Sequence, residues 1–505
     1  MIQEENNIPS TKEDEVKLPS IWLSIIPILV LIPILAFNIY IYKDNATFGP
    51  NQVALLMAGI VAAVIGILVL KQDYHLIEKQ IIKSIGMSMQ AILILLLVGV
   101  LIGIWILSGI VPVMIYYGLK LINPTIFLPL ACIVCCVASL ATGSSWSTTG
   151  TVGIALIGIG KALGIDDGMV AGAIISGAYF GDKLSPLSDT TNLAPAMAGT
   201  DLFTHIRHML YTTIPSITLA IVGFFVLGMF VQQNTNSPEN IKEILLAMEK
   251  NFNLNFILLI VPVLVIVMIA KKIPAIPALI IAILLGIISI FIFQQNYIFA
   301  RAEVKPNGFC ETFKYLYELI VTTSYNGFSF KSGNDLIDSL FNRGGMGKML
   351  NTVWLIVMAM IFGGTMEGTG MLQKLASSIM KLVHGAGSLI GMTLASCIFV
   401  NIISCDQYLS IVLPGRMFRK AYEIFGLHPK NLSRALEDAG TVTSVLIPWN
   451  TCAAYNSGVL NVSTLTYLPY CFFNLLSPVI SGFCAGFNIT IEKLKESDKK
   501  NENIE

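Results

Sequence analysis

The segment Gly177–Ala194 reads GAYFGDKLSPLSDTTNLA and places seven side-chain oxygen donors within eleven residues: Asp182, Ser185, Ser188, Asp189, Thr190, Thr191 and Asn192. Its only base is Lys183. Carboxylate, hydroxyl, amide and carbonyl oxygens together suit a hard cation of low charge, because soft or borderline metals select sulfur and imidazole instead. A carboxylate in such a place can shed its negative charge in two ways. Low dielectric favours protonation, while a bound cation favours the ionised form. One carboxylate contested by a proton and a cation is enough to exchange them. The blander reading is an interfacial loop whose Ser and Asp side chains only cap the helix that follows.

Three more polar interruptions accompany it. In Glu437–Ala454 (EDAGTVTSVLIPWNTCAA), Pro448 breaks an apolar run and frees backbone carbonyls beside Asn450 and Thr451. Glu437 and Asp438 either serve the site or balance Arg434. Gly143–Gly150 reads GSSWSTTG and contributes Ser145, and Ser404–Gln407 reads SCDQ. No Lys, Arg, Asp or Glu stands between Lys381 and Asp406, which makes Asp406 a candidate intramembrane carboxylate. Glu367, between Gly364 and Gly370, is either another or a helix-end residue at the interface. The candidates for binding a cation or proton are therefore Asp182, Ser188, Asp189, Thr190, Asn192, Ser145, Asp406, Asn450, Thr451, Glu367 and Glu437.

Elements able to hold such groups in place follow from the composition. Of 505 residues, 12% are charged and 55% belong to the hydrophobic set, with 31 bases against 31 acids. Charged residues are absent between Lys83 and Lys120, Lys120 and Lys161, Arg207 and Glu239, Lys272 and Arg301, and Asp438 and Glu492. An apolar run of roughly 20 residues spans the hydrocarbon layer, so each gap holds at least one membrane helix. The chain is expected to be an all-α, polytopic membrane protein with helical windows from Ile21–Ile41 through Met87–Leu107 to Tyr467–Phe487. Several windows, such as Val152–Leu163 and Met169–Phe180, are too short to cross alone. In lipid an irregular backbone survives only where it is buried or lines a cavity, so the four polar breaks mark the site.

A shift of 261 residues aligns Gly86 with Gly347, Gly103 with Gly364, Gly109 with Gly370, Lys120 with Lys381 and Thr190 with Thr451. Basic residues change ends between the halves. Loop 71–86 carries Lys71, Lys79 and Lys83 but its counterpart 332–347 has only Arg343; region 154–173 has only Lys161 but 415–434 carries Arg416, Arg419, Lys420, Lys430 and Arg434. Under the positive-inside rule this pattern predicts two inverted-topology repeats. The expected organisation is a cytoplasmic tail over 1–19, a first membrane repeat over 20–231, an external linker over 232–253, a second repeat over 254–490 with an external insert at about 294–348, and a cytoplasmic tail over 491–505.

Other classes lose support. No basic excess points to nucleic acid. Eight of the nine cysteines sit in apolar runs as small hydrophobes, with Cys310 the exception. The five histidines fall near loop or helix ends as interface residues. Gly143-Ser-Ser-Trp-Ser departs from the nucleophile elbow in its last position and has no paired His and acid nearby, and the glycines of Gly158–Gly164 are explained by helix packing. No enzyme chemistry and no cofactor are expected.

Gly177–Ala194, preceded by Gly143–Gly150 and followed by Ile447–Tyr455 (IPWNTCAAY), resembles the NhaC-type sodium/proton antiporters of the broader ion-transporter superfamily. Arg343-Gly-Gly-Met and Phe362–Glu367 (FGGTME) also look like that family, so the resemblance covers most of Lys71 to Phe487. It implies a multi-pass transporter of the bacterial cytoplasmic membrane, with a scaffold and a mobile transport part built from re-entrant or discontinuous helices. Its partners would be sodium ions, protons and the surrounding lipid bilayer, with a homodimer as the oligomer to test. By position in the matching motifs, Asp189, Thr190, Asn192, Asn450 and Thr451 become the implied site, with Asp189, Asn192 and Asn450 on sodium. The same family includes exchangers of malate and protons against sodium and lactate, which is the alternative function.

Overall fold

A computed structural model describes residues 18–42, 46, 48–121, 123–231, 238–271, 273–302, 306, 308–329, 338, 340–380 and 383–494. The expected terminal tails thus lie outside the described residues except at 18–19 and 491–494. Among the described residues every extended element is helical, and the single bridge pairs Leu427 with Lys493.

Among the described residues eight helices are long and apolar enough to cross a membrane: Ile21–Tyr42, Pro50–Val69, Tyr74–Leu107, Pro124–Thr142, Leu202–Phe230, Ala275–Ala300, Met346–Gly368 and Ala386–Ser404. Counting two bent pairs as one span each raises this to ten. Those pairs are Ile241–Asn251 with Phe256–Ala270, bent by 98°, and Thr464–Tyr470 with Phe472–Gly486, bent by 56°. Burial separates the posts of the fold from its rim. In Tyr74–Leu107, 72% of the apolar window is buried, against 28% in Ile21–Tyr42, which leaves Trp22, Leu29, Phe37 and Tyr40 on its outer surface. An apolar helix faced outward costs nothing in lipid, whereas the polar interruptions must be covered by protein.

Local sequence explains the ends. Asp73 caps Tyr74–Leu107 by accepting from the His75 amide at 3.0 Å, so the helix runs through the polar His75–Lys83 stretch into the apolar one for 34 residues in all, well beyond the window read from hydropathy. Asn123 caps Pro124–Thr142 in the same way, with Pro124 at the first turn where its missing N–H costs no bond. Tyr74–Leu107 packs along Met346–Gly368, and the Gly345 amide donates to the Gly99 carbonyl at 2.6 Å. Phe309–Asn326, inside the expected insert, leans on the same central helix.

The polar stretches fall between shorter helices: Ser145–Thr148, Ile154–Ala162, Asp167–Leu184, Asp189–Ala198, Gln407–Ile424, Lys430–Ala435 and Thr451–Leu460. Two of them run into π-helical turns, Thr149–Gly153 and Leu436–Thr441, where a widened turn re-aims the side chains it carries. Helices also recur along the chain. Ile110–Leu121, Pro124–Thr142 and Asp189–Ala198 are followed by Met371–Met380, Ala386–Ser404 and Thr451–Leu460, each beginning 261 or 262 residues later.

Candidate functional site

The first pair of breaks is held by capping groups. Pro124–Thr142 ends in the left-handed Gly143 (φ 69°), whose amide donates back to Ser139 O at 2.7 Å. A Cβ there would also lie 2.6 Å from Leu187 Cβ, so glycine lets this break dock on the one that follows Leu184. Ser144 then caps the next turn by accepting from Ser147 N at 3.1 Å. Across the junction, Pro186 cannot continue Asp167–Leu184, and Ser188 caps Asp189–Ala198 by accepting from Thr191 N at 3.4 Å. The Thr191 hydroxyl closes the carbonyls freed at the helix end, donating to Asp182 O and Lys183 O at 3.0 Å each.

Within this junction the buried Asp182 carboxylate meets Ser145. Oδ2 accepts from the Ser145 amide at 3.1 Å and from its hydroxyl at 2.6 Å. Ser188 and Thr190 share a hydrogen bond at 3.1 Å nearby, both buried. Asp189 and Asn192 are exposed instead. The Asn192 amide nitrogen is committed to Pro186 O and Ser188 O, at 3.0 and 2.7 Å. Asn192 thus acts locally as a turn clamp, and Asp189 stands on the outer side of the helix start.

The second pair of breaks repeats the construction with other residue types. Ala386–Ser404 ends in the left-handed Cys405 (φ 59°), and Asp406 caps Gln407–Ile424 by accepting from Leu409 N at 3.0 Å. Asn450 caps Thr451–Leu460, accepting from Cys452 N at 3.1 Å, while its amide nitrogen donates to Asn401 O and Oδ1 at 3.2 and 3.1 Å. The Thr451 amide reaches Cys405 O at 3.0 Å, so these two breaks also touch. Glu367 is half-buried and within electrostatic reach of Asp406. Tyr408, within electrostatic reach of Asp189, Asp406 and Asp182, stands between the two junctions.

Aromatic contact locks one junction onto the other. Trp146 and Tyr455 stack with centroids 4.2 Å apart and planes 10° from parallel, and the Tyr455 hydroxyl donates to Trp146 O at 2.9 Å. A Cβ on Gly150 would sit 2.8 Å from that hydroxyl oxygen, which is why no larger residue fits beneath it.

Sequence reading missed the buried ion network behind Asp182. The Lys183 ammonium pairs with Asp438 Oδ1 and also donates to Ser477 Oγ at 3.1 Å, while Thr212 Oγ1 donates to the same carboxylate oxygen at 3.0 Å. Arg434 Nε is 4.0 Å from the other oxygen, Oδ2. Asp438 therefore answers two bases, but Glu437 answers neither directly. Glu437 is fully buried, with the hydroxyls of Thr190 and Thr441 close by, and neither of its oxygens has a hydrogen-bond partner among the described residues. The clue in the sequence was Lys183, the lone base among seven donors, but nothing linear pairs it with a residue 255 positions away.

Counted as a cluster, Asp182, Glu437 and Asp438 set three carboxylates against two cations, Lys183 and Arg434. One negative charge is left over in a buried setting where an uncompensated ion costs several kcal/mol, so one proton or one monovalent cation restores balance. The structure thus brings together Ser145, Asp182, Ser188, Thr190 and Glu437, gathers Asp406, Asn450, Thr451 and Glu367 at the second junction, and leaves Asp189 and Asn192 at the surface.

Multi-pass apolar helices enclosing a polar centre with an unbalanced charge define a secondary transporter of the cell membrane. The chain belongs to the Na+/H+ antiporter family, whose family profile matches residues 177–485. Over 85% of its length it is 39% identical to the Na(+)/H(+) antiporter NhaC of Alkalihalophilus pseudofirmus, covering 88% of that protein. It is also 37% identical to the malate-2H(+)/Na(+)-lactate antiporter of Bacillus subtilis, over 94% of this chain and 96% of the relative. The arginine/ornithine antiporter ArcD of Halobacterium salinarum is 33% identical over 96% of both chains.

Proposed function

We propose that this protein exchanges sodium for protons by alternating access, with the contested carboxylates at Asp182 and Glu437. The observation that carries this reading is the charge count: three buried carboxylates, two buried cations, and a Glu437 carboxylate with no hydrogen-bond partner among the described residues. A sodium ion would take oxygens from Asp182, Ser145, Ser188 and Thr190, with Glu437 completing the neutralisation; a proton on either carboxylate would do the same work in its absence. Burying both states at equal charge lets the loaded site move through a low-dielectric path without an electrostatic barrier. Asp189 is assigned to the entry route, and Asp406, Glu367, Asn450 and Thr451 to the opposed junction.

In this reading the two junctions belong to inverted repeats whose discontinuous helices form the transport part, moving against the Tyr74–Leu107 and Met346–Gly368 scaffold. Support comes from helices recurring at 261 or 262 residues and from basic residues that change ends between the halves. The second reading, organic-anion exchange with malate and lactate, is supported by the relative that carries that name.

Proteoliposomes loaded with a pH dye distinguish the two. Sodium added alone should release protons from the lumen, and lithium and potassium rank the selectivity. A response that appears only when malate or lactate is added would overturn the cation-only reading in favour of the second.

A further inference from the structure

Two histidines of the membrane helix Leu202–Val231 are buried, His205 at 0% and His208 at 4% exposure, although the sequence places both near a helix end as interface residues. The Nε2 nitrogen of each has no hydrogen-bond partner among the described residues. Buried polar atoms are nearly always satisfied, so two such nitrogens one turn apart call for something that visits them. The tautomer of His205 follows from its neighbour. Ser433 gives its single hydroxyl hydrogen to Lys430 O at 3.1 Å, so the 2.8 Å contact with Ser433 Oγ is donated by His205 Nδ1–H, and Nε2 keeps its lone pair.

Asp201, His205, His208, Thr212 and Ser216 recur at steps of three or four residues, a polar stripe down one face of the helix. Asp201 at its head is exposed, and Thr212 donates to Asp438 Oδ1 at 3.0 Å, so the stripe runs from the surface to the buried ion network. His205 lies within electrostatic reach of Lys183 and Asp438 on packed elements and of Asp201 and His208 on its own helix; His208 lies within reach of Arg434, Lys430 and Glu492. Three bases and three acids surround the pair, so the rings meet no standing demand for either sign of charge. Lys430 belongs to the same end of the fold as Arg416, Arg419 and Lys420, which the positive-inside rule sets in the cytoplasm.

We infer that His205 and His208 carry the exchanged proton between the cytoplasm and the buried carboxylate cluster, on a path separate from the sodium entrance at Asp189. A neutral imidazole with a bare nitrogen can accept a proton and release it again, and chains of such groups relay protons inside membranes. The proton is taken on the Nε2 lone pair, giving an imidazolium, and the ring returns to neutral when a carboxylate oxygen accepts it; only N–H and O–H bonds change. Asp438 Oδ2 and both oxygens of Glu437 have no hydrogen-bond partner among the described residues, which leaves acceptors at the inner end. The inference rests on the sodium/proton exchange proposed above and supplies its proton route.

Proteoliposomes of the full-length protein give two rates that share the sodium site: sodium-evoked proton release, read by a pH dye, and exchange of labelled for unlabelled sodium at equal pH, which moves no net proton. In His205→Gln, His208→Gln and the double variant, proton release should slow, by about a hundredfold in the double variant, the low end of what a positioned proton-transfer group supplies. Sodium–sodium exchange and its half-maximal sodium concentration should match the unaltered protein. A merely structural role would lower both rates together, and that result would overturn the inference, as would unslowed proton release in the double variant. If His205→Gln does not fold, His208→Gln alone decides, and unslowed release in it counts against the inference. Sodium–sodium exchange without sodium-evoked proton release in the unaltered protein would sink the exchange reading and the proton route with it, whereas normal release there and in every variant sinks the proton route alone.

Discussion

Ser145 grips Asp182 twice through one oxygen, its amide at 3.1 Å and its hydroxyl at 2.6 Å from Oδ2, although the two residues sit on different helices either side of a break. That contact joins the two polar interruptions of the first half. Asp182→Asn should abolish sodium-evoked proton release in proteoliposomes while the protein still inserts and elutes normally. Ser145→Ala removes only the hydroxyl and should raise the sodium concentration for half-maximal exchange about tenfold, as expected for one bond to a charged group. Asp189→Asn, at an exposed carboxylate, should change this value less. Full coupled activity in Asp182→Asn would remove the central residue.

Glu437 tests the proton's place. With neither of its oxygens hydrogen-bonded among the described residues, Glu437→Gln should fold and insert as the unaltered protein does. It imitates a permanently protonated side chain, so exchange should fall and its dependence on pH should flatten. A normal pH profile in this variant would pass the exchangeable proton to Asp182 alone.

The Lys183–Asp438 pair is a statement about stability as well as charge. Lys183→Met removes the nearer of two bases from the buried Asp438 carboxylate and should destabilise the protein by about 3–5 kcal/mol, whereas Lys183→Met combined with Asp438→Leu should recover only part of the loss, since the buried Arg434 then loses the carboxylate 4.0 Å from its Nε. Thermal unfolding of the detergent-solubilised protein measures both. Equal destabilisation in the single and double variants would show that Thr212 and Ser477, rather than charge, depend on the pair.

Outside the spans, Lys430 holds the Glu492 carboxyl below its ordinary value of 4.5, first through their hydrogen bond. A depressed folded value means the contribution is present above the unfolded pKa and fades as pH falls through the folded one. The backbone of Glu492 is tied as well, its carbonyl accepting from His428 N at 2.9 Å and Asn431 Nδ2 at 2.7 Å. Limited proteolysis between Gly486 and Leu494 should therefore be slow at neutral pH and accelerate only below pH 4.5. Because the Glu492 side chain is 42% exposed the effect should be modest, and acceleration already at pH 7 in Lys430→Gln would confirm the pairing.

Much of the fold was legible because hydropathy is local. Charge-free gaps locate spans, and Pro186, Gly143, Pro448 and Asp406 interrupt or cap a helix whatever surrounds them. Where the reading fell short, the cause was longer range. The Met87–Leu107 window stopped at the apolar boundary, while the Asp73 cap lets helix run through Lys79 and Lys83 to reach it. Glu437 and Asp438 looked alike as neighbours of Arg434, yet a π-helical turn aims only Asp438 at Lys183. Asp189 and Asn192 looked equivalent to Asp182 by composition, but a helix start turns one face outward and Ser188 with Pro186 absorbs the amide.

By itself the sequence determined that this chain is a multi-pass helical membrane protein, where its helices break, and which oxygen-bearing residues stand at the breaks, since apolar run length and the chemistry of Pro, Gly and capping side chains act within a few residues. Only the tertiary structure decided which carboxylates are buried together and which are already answered. Charge compensation depends on distances of a few ångströms between residues as far apart as Lys183 and Asp438, and those distances are set by how the broken helices pack.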